Sequence, residues 1–148
     1  MTTPITDNNH HDWRKAMSRT IINPSDLHDP TAFGYSHVNT TEGSPLVFIA
    51  GQYDSGDQGT PTSSDFNTQA RRAFDNLGKA LRAAGLDYDN VVKLGTFIVD
   101  HDADKLTTVG KLVHEHWGDR PPAQTLNGVA RLALPEMLFE VDAIAIRF

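Results

Sequence analysis

The chain has 148 residues, of which 39% are hydrophobic and 22% charged, enough for one globular domain that buries roughly two-thirds of its unfolded surface. A formal charge of −6 argues against a general nucleic-acid binder, which needs a basic face to displace counterions from phosphate. The absence of cysteine excludes disulfides, thiolate metal sites and cysteine nucleophiles, and no apolar run approaches the length of a membrane span.

Residues 1–15 are polar and carry no apolar core of a signal peptide; they read as a disordered tail. Residues 16–148 read as a single domain in a cytoplasmic protein. His10-His11 could take a stray metal ion, but a solvated tail is the simpler reading. Arg19 to Asn23 suggests a first short strand, ended by Pro24. Tyr35 to Thr40 reads as a second strand and Leu46 to Ala50 as a third, buried one, with Glu42-Gly43-Ser44-Pro45 supplying the hairpin turn. A loop rich in Gly, Asp, Ser and Thr follows, from Tyr53 to Ser64.

The first helix is expected to begin near Ser64, capped by Ser64 itself or by a Thr62-x-x-Asp65 box. Phe66, Ala70, Phe74, Leu77, Leu81 and Ala84 form one apolar stripe over about five turns. Gly85 supplies the left-handed residue that ends it. Asn90 to Val99 reads as a strand, Asp104 to Trp117 as a second helix stopped by Gly118. Two further strands follow, roughly Thr125 to Leu132 and Leu138 to Arg147, joined by a short proline turn.

This order implies an α+β fold, with a six-stranded mixed sheet and two helices on one face. On the last strand Phe139, Val141, Ala143 and Ala145 point one way; Glu140, Asp142, Ile144 and Ile146 point the other. Both faces carry apolar groups, so the face without helices is expected to be covered by other copies of the chain.

Few residues suit chemistry. Asp100-His101-Asp102 resembles the start of a calcium loop but lacks the glycine and glutamate such a loop needs; helix capping explains it. His114 and His116 lie about 200° apart around a helix, which makes a shared metal ion implausible, and no metal is expected. No phosphate-binding glycine loop or nucleophile elbow is present. Glu140 remains as the general acid/base candidate, a carboxylate on an apolar strand whose burial would raise its pKa. The competing reading pairs it with Arg131 or Arg147. Asp142, on the same face, reads as a salt-bridge partner.

Several stretches, in their order and spacing, resemble the Rid (YjgF-type) enamine/imine deaminase family: Gly34-Tyr35-Ser36-His37, Val47 to Gln52, Gln69 to Asn76, Arg82-Ala83-Ala84-Gly85, Val91-Val92-Lys93, Pro122-Ala123 and Glu140 to Ala145. The resemblance implies a chorismate-mutase-like fold, a homotrimer with a central barrel, clefts between subunits and no cofactor. It implies catalytic roles for Glu140 and Tyr35, and a substrate-binding role for Gly51, Gln52 and His37. Thr125 and Trp117 complete the expected substrate-binding set. Gln124 stands where family deaminases carry an arginine that binds the substrate carboxylate. A neutral amide lacks the two charge-assisted bonds of a guanidinium, so carboxylate binding there should weaken by about tenfold to several hundredfold. The expected function is therefore hydrolysis at a reactive imine, enamine or related C–N centre, Glu-assisted, on a small molecule other than the usual carboxylated imino acids. The alternatives are a non-catalytic trimeric metabolite- or protein-binding module, and a family member repurposed for ring hydrolysis or cyclisation.

Overall fold

The computed structural model describes residues 19–29, 37–41 and 46–147. The polar tail, Tyr35 and the Glu42–Pro45 turn lie outside the described residues. The elements are β1 (Arg19–Ile22), β2 (Val38–Thr41), β3 (Leu46–Gln52), α1 (Phe66–Ala83), β4 (Val91–Val99), α2 (Ala103–Trp117), β5 (Ala123–Val129) and β6 (Phe139–Ile146). The fold is α+β, with a mixed sheet in the order β1-β2-β3-β6-β4-β5. Its four long strands, β3, β6, β4 and β5, carry the core. Among the described residues no helix is long and apolar enough to cross a membrane.

β2 and β3 form the expected hairpin, with Val38 opposite Ile49. The C-terminal strands do not adjoin. β5 pairs in parallel with β4, and β6 lies antiparallel between β3 and β4. The expected short proline turn is instead a longer passage over the end of β4. Arg131 and Leu132 belong to that passage rather than to β5. The reason is register: β4 and β5 are joined through α2, and such a helical crossover favours parallel neighbours.

α1 buries the predicted stripe. Phe74, Leu77 and Leu81 are fully enclosed, and Phe66 and Phe74 stand against Phe139 of β6 at ring-centroid distances of 6.0 and 5.8 Å. Ala70, Ala73 and Ala80, also buried, let the helix approach the sheet closely. The cap is Asp65, which accepts from Thr68 N at 2.8 Å; Thr62 takes no part. Its N–H and hydroxyl donate instead to the buried Asp54, at 3.0 and 2.7 Å, and so fold the 53–63 loop. Gly85, at φ 73°, ends the helix as expected, its N–H bonded to Arg82 O and that of Leu86 to Leu81 O.

Two polar residues lie on the buried side of α1 where periodicity asks for apolar ones. Asn76 Nδ2 donates to Tyr53 O at 2.8 Å. Gln69 donates to Ser63 O and Glu136 O and accepts from Leu138 N, at 2.7, 2.8 and 2.8 Å. Gln69 thereby ties the helix to the start of β6. A Gln69→Leu variant keeps the volume but strands these backbone groups, so it should lower stability by at least about 2 kcal/mol. Urea unfolding should show a lower midpoint at unchanged slope; an unmoved midpoint would refute the clamp.

Candidate functional site

The site is built on an irregularity in β3. Val47 and Ile49 are buried, Ala50 and Gly51 are half-buried, and Gln52 is buried again. The pairing with β6 shifts between Ile49 and Gln52, as a β-bulge does. The slip leaves Gly51 beside β6 on the face without helices and turns Gln52 inward.

Glu140 lies on that open face, opposite Phe97 of β4. Its carboxylate rests on the α-carbon of Gly51: a Cβ there would collide with Oε1. Asp142 does the same to Gly95, its direct partner on β4, where a Cβ would meet Oδ1. Each carboxylate therefore needs a glycine on the flanking strand. Glu140 opens into a cleft of about 380 Å³, lined by Ala50, Gly51, Tyr53, Ala133, Leu134 and Met137. Burial pushes its pKa above the ordinary 4.5, and the charge of Asp142 pushes it further. Asp142 is also raised by burial, partly offset by the Gly95 N–H and Lys93.

Glu140 has no ion-pair partner among the described residues. Arg147 is turned to the helix layer, donating to Ala84 O at 2.9 Å, and Arg131 makes no ion pair there either. Asp142 has no direct salt bridge among these residues; the nearby Lys93 donates instead to Thr125 Oγ1 at 2.6 Å.

The other expected site residues divide by face. Thr125 lies opposite Gly95 and shares the Glu140 face. Gln124 lies opposite Leu94 and its Nε2 donates to Thr96 Oγ1 at 3.1 Å; Leu94 and Thr96 are both fully buried towards the helices. Within one chain Gln124 and Glu140 therefore lie on opposite faces of the sheet. Trp117 belongs to the helix layer, donating from Nε1 to Tyr88 O at 2.8 Å, and does not line the Glu140 cleft. His116 stacks on Tyr88 with centroids 4.2 Å apart and is likewise remote from it.

His37 and Gln52 are buried beneath the cleft rather than exposed in it, at 0% and 2%. His37 Nε2 lies 2.8 Å from His28 O, which can only accept, so Nε2 carries the proton. Nδ1 then accepts from Gln52 Nε2 at 3.1 Å. Burial holds the ring's pKa below the ordinary 6.5, which keeps it in this neutral form. The pair braces the bulge from behind, with Gln52 also donating to Ala50 O at 3.2 Å. Among the described residues no group of three or more His, Asp or Glu is placed to hold a metal ion.

Sequence reasoning did not single out Tyr53, Leu134 or Met137. Gly95, a lone glycine inside a β-branched run, was a legible signal of close approach.

A family profile described as Endoribonuclease L-PSP matches residues 27–147. The chain belongs to this family. Its relatives include the RutC family protein YjgH of Escherichia coli, 32% identical over 130 residues, covering 87% of this chain and 95% of that one. The human 2-iminobutanoate/2-iminopropanoate deaminase is 32% identical over 103 residues, covering 68% of this chain and 72% of its own. A solved structure of protein YJGH superposes with a TM-score of 0.77 at 32% identity, covering 86% of this chain and 95% of that one. Rv2704 of Mycobacterium tuberculosis, described as a YjgF/YER057c/UK114 family member, superposes with a TM-score of 0.71 at 28% identity, covering 88% and 100%. The YjgF-type fold thus accounts for nearly the whole described chain.

The raised pKa of Glu140 has a consequence for stability. A group whose folded pKa lies above its unfolded value contributes stability that is fully present below the unfolded pKa, here 4.5, and lost as pH rises through the folded one. Glu140→Gln should therefore melt higher than wild type at pH 7–8, with the gap closing below about pH 4.5. Thermal melts across this range test it; a lower melting temperature for the variant at pH 8 would contradict the desolvated carboxylate. Gly51→Ala should displace the Glu140 side chain and lower the melting temperature at every pH.

Proposed function

We propose that this chain is a deaminase-like hydrolase acting on a reactive imine or enamine carbon held over Glu140. One observation carries the reading: a carboxylate of raised pKa, free of ion pairs among the described residues, faces an apolar cleft. Deaminase names among the relatives agree with it. An enamine first takes a proton on carbon to become the iminium. Glu140 then removes a proton from water as the oxygen bonds to the iminium carbon, giving a carbinolamine. Glu140 returns that proton to nitrogen, the C–N bond breaks, and ammonia leaves with its bonding electron pair. Loss of the hydroxyl proton completes the carbonyl product. No cofactor is required, since water and one shuttled proton balance the reaction.

The apolar open face, with Phe48 and Val92 exposed at 46% and 39%, suits burial against further copies. We take the working form to be a homotrimer whose sheets line a central barrel, with a neighbour's Gln124 completing an intersubunit cleft. Such a cleft has no guanidinium at position 124, so 2-imino acids with a carboxylate beside the C=N carbon are poor substrates in this reading. The family name's RNA chemistry is not carried over, because a net charge of −6 and two carboxylates on one face oppose a polyanion. A cytoplasmic setting supplies such short-lived small molecules.

The test is ammonia release from imines generated in place by an amino-acid oxidase, or by chemical condensation for neutral ones. Glu140→Gln should lower the rate by about 10²-fold or more, the usual contribution of a general acid/base. For wild type, the rate should rise with pH through an ionisation displaced above 4.5, as the carboxylate form appears. A Glu140→Gln enzyme as fast as wild type would sink the proposal.

A further inference from the structure

The Glu140 cleft has a neighbour. A second cavity, of about 440 Å³, lies under the segment that leads into β6, with Arg131 on its wall. Ala133, Leu134 and Met137 line both cavities, so the two adjoin across shared apolar side chains, with Glu140 on one and Arg131 on the other. Each volume falls in the usual range for a small-molecule site. Neither Glu140, on the first cavity, nor Arg131, on the second, makes an ion pair among the described residues. Glu136, the one acidic residue of the intervening segment, lines a different cavity, with Thr62 and Ser63. Gln69 holds this segment in place through Glu136 O and Leu138 N.

Two adjoining cavities with shared apolar lining, one carrying a cationic residue and the other a carboxylate, match a particular kind of molecule. We infer that the site takes an amphipathic substrate whose anionic group binds Arg131, whose short apolar chain lies along Ala133, Leu134 and Met137, and whose reacting carbon sits over Glu140. The anion is thus remote from the reacting carbon, not adjacent to it as in a 2-imino acid. Arg131 is a specificity residue and takes no part in the chemistry. For the identity of the reacting end, the inference rests on the proposed hydrolysis.

Binding of unreactive ketones separates the two. Three eight-carbon probes suffice, measured by calorimetry: 7-oxooctanoate, with its carboxylate at the far end; 2-oxooctanoate, with it adjacent; and 2-octanone, with none. Wild type should bind 7-oxooctanoate about tenfold or more tighter than either of the others, the worth of one charge-assisted contact. Arg131→Gln should erase that preference with an unchanged circular-dichroism spectrum and melting temperature. Arg131→Lys, which keeps the charge but not the planar fork, should retain part of it. Equal affinity for 7-oxooctanoate and 2-octanone, tighter binding of 2-oxooctanoate, an Arg131→Gln protein that binds like wild type, or no binding of any probe would each overturn the inference. A protein that shows the expected binding pattern but hydrolyses no imine would overturn the proposed hydrolysis alone.

Discussion

The structure depends on β6, the last of the described strands in chain order and the one inserted between β3 and β4. It is hydrogen-bonded along both edges and loaded on both faces. One face, formed by Phe139, Val141, Ala143 and Ala145, is the floor on which α1 packs. The other carries Glu140 and Asp142. Alternation with a period of two makes these demands compatible, since each face takes every second residue. It also fixes the strand positions of both carboxylates as firmly as those of the core, because a shift of the strand by one residue would exchange the two faces entirely. The placement of Glu140 and Asp142 on the open face is thus a by-product of core formation.

Placement alone would leave the carboxylate with nothing to lie on. The bulge in β3 brings Gly51 to the open face, and the missing side chain there makes room for Glu140. The bulge has a cost: it turns Gln52, a polar residue, into the interior. His37 meets that cost by accepting from its amide, and the ring is itself satisfied by His28 O. Gln69 plays the same part at the far end of the site. Buried polar groups that are fully bonded hold backbone segments in one arrangement, which apolar contacts, lacking direction, do less well. Among the described residues, His37, Gln52 and Gln69 are interior polar groups that hold the backbone flanking the cleft.

Much of this was legible in the sequence, and the remainder was not for definite reasons. The apolar stripe of α1, its glycine stop, the β2–β3 hairpin and the two faces of β6 follow from local periodicity and local steric rules. The partner of each strand does not: β5 and β6 are near in sequence, but β4 separates them, and only the helical crossover through α2 explains why. The face to which a residue belongs is not legible where an irregularity intervenes or where no burial pattern exists. Gln52 changed face at the bulge. Gln124 sits on an edge strand that is mostly exposed or half-exposed, so its alternation carried no signal, and only register against Leu94 assigns it. Gln69 and Asn76 interrupt an apolar stripe, and no spacing rule announces that distant loops will bond to them. Trp117, expected in the substrate-binding set, has its indole N–H satisfied by Tyr88 O within the helix layer, which no local spacing announces.

The opposition of faces between Gln124 and Glu140 changes what the substitution at position 124 means. Were both residues on one face, a glutamine rather than an arginine at 124 would withhold a cation from beside Glu140 of the same chain. On opposite faces, position 124 would bear on Glu140 directly only from a second copy, as in the proposed trimer. Recognition through 124 would in that trimer be a property of the assembly. Recognition through the segment between β5 and β6 is different in kind. Arg131, Leu134 and Met137 stand in the same chain as Glu140, and the short path from Leu134 to Phe139 limits how far they can move relative to it. In the proposed trimer position 124 offers no cation at the seam, whereas Arg131 offers one within the chain that carries Glu140. On the proposed binding mode, the Gln69 clamp on Glu136 O and Leu138 N, between Arg131 and Glu140, would then constrain the length of what can bind.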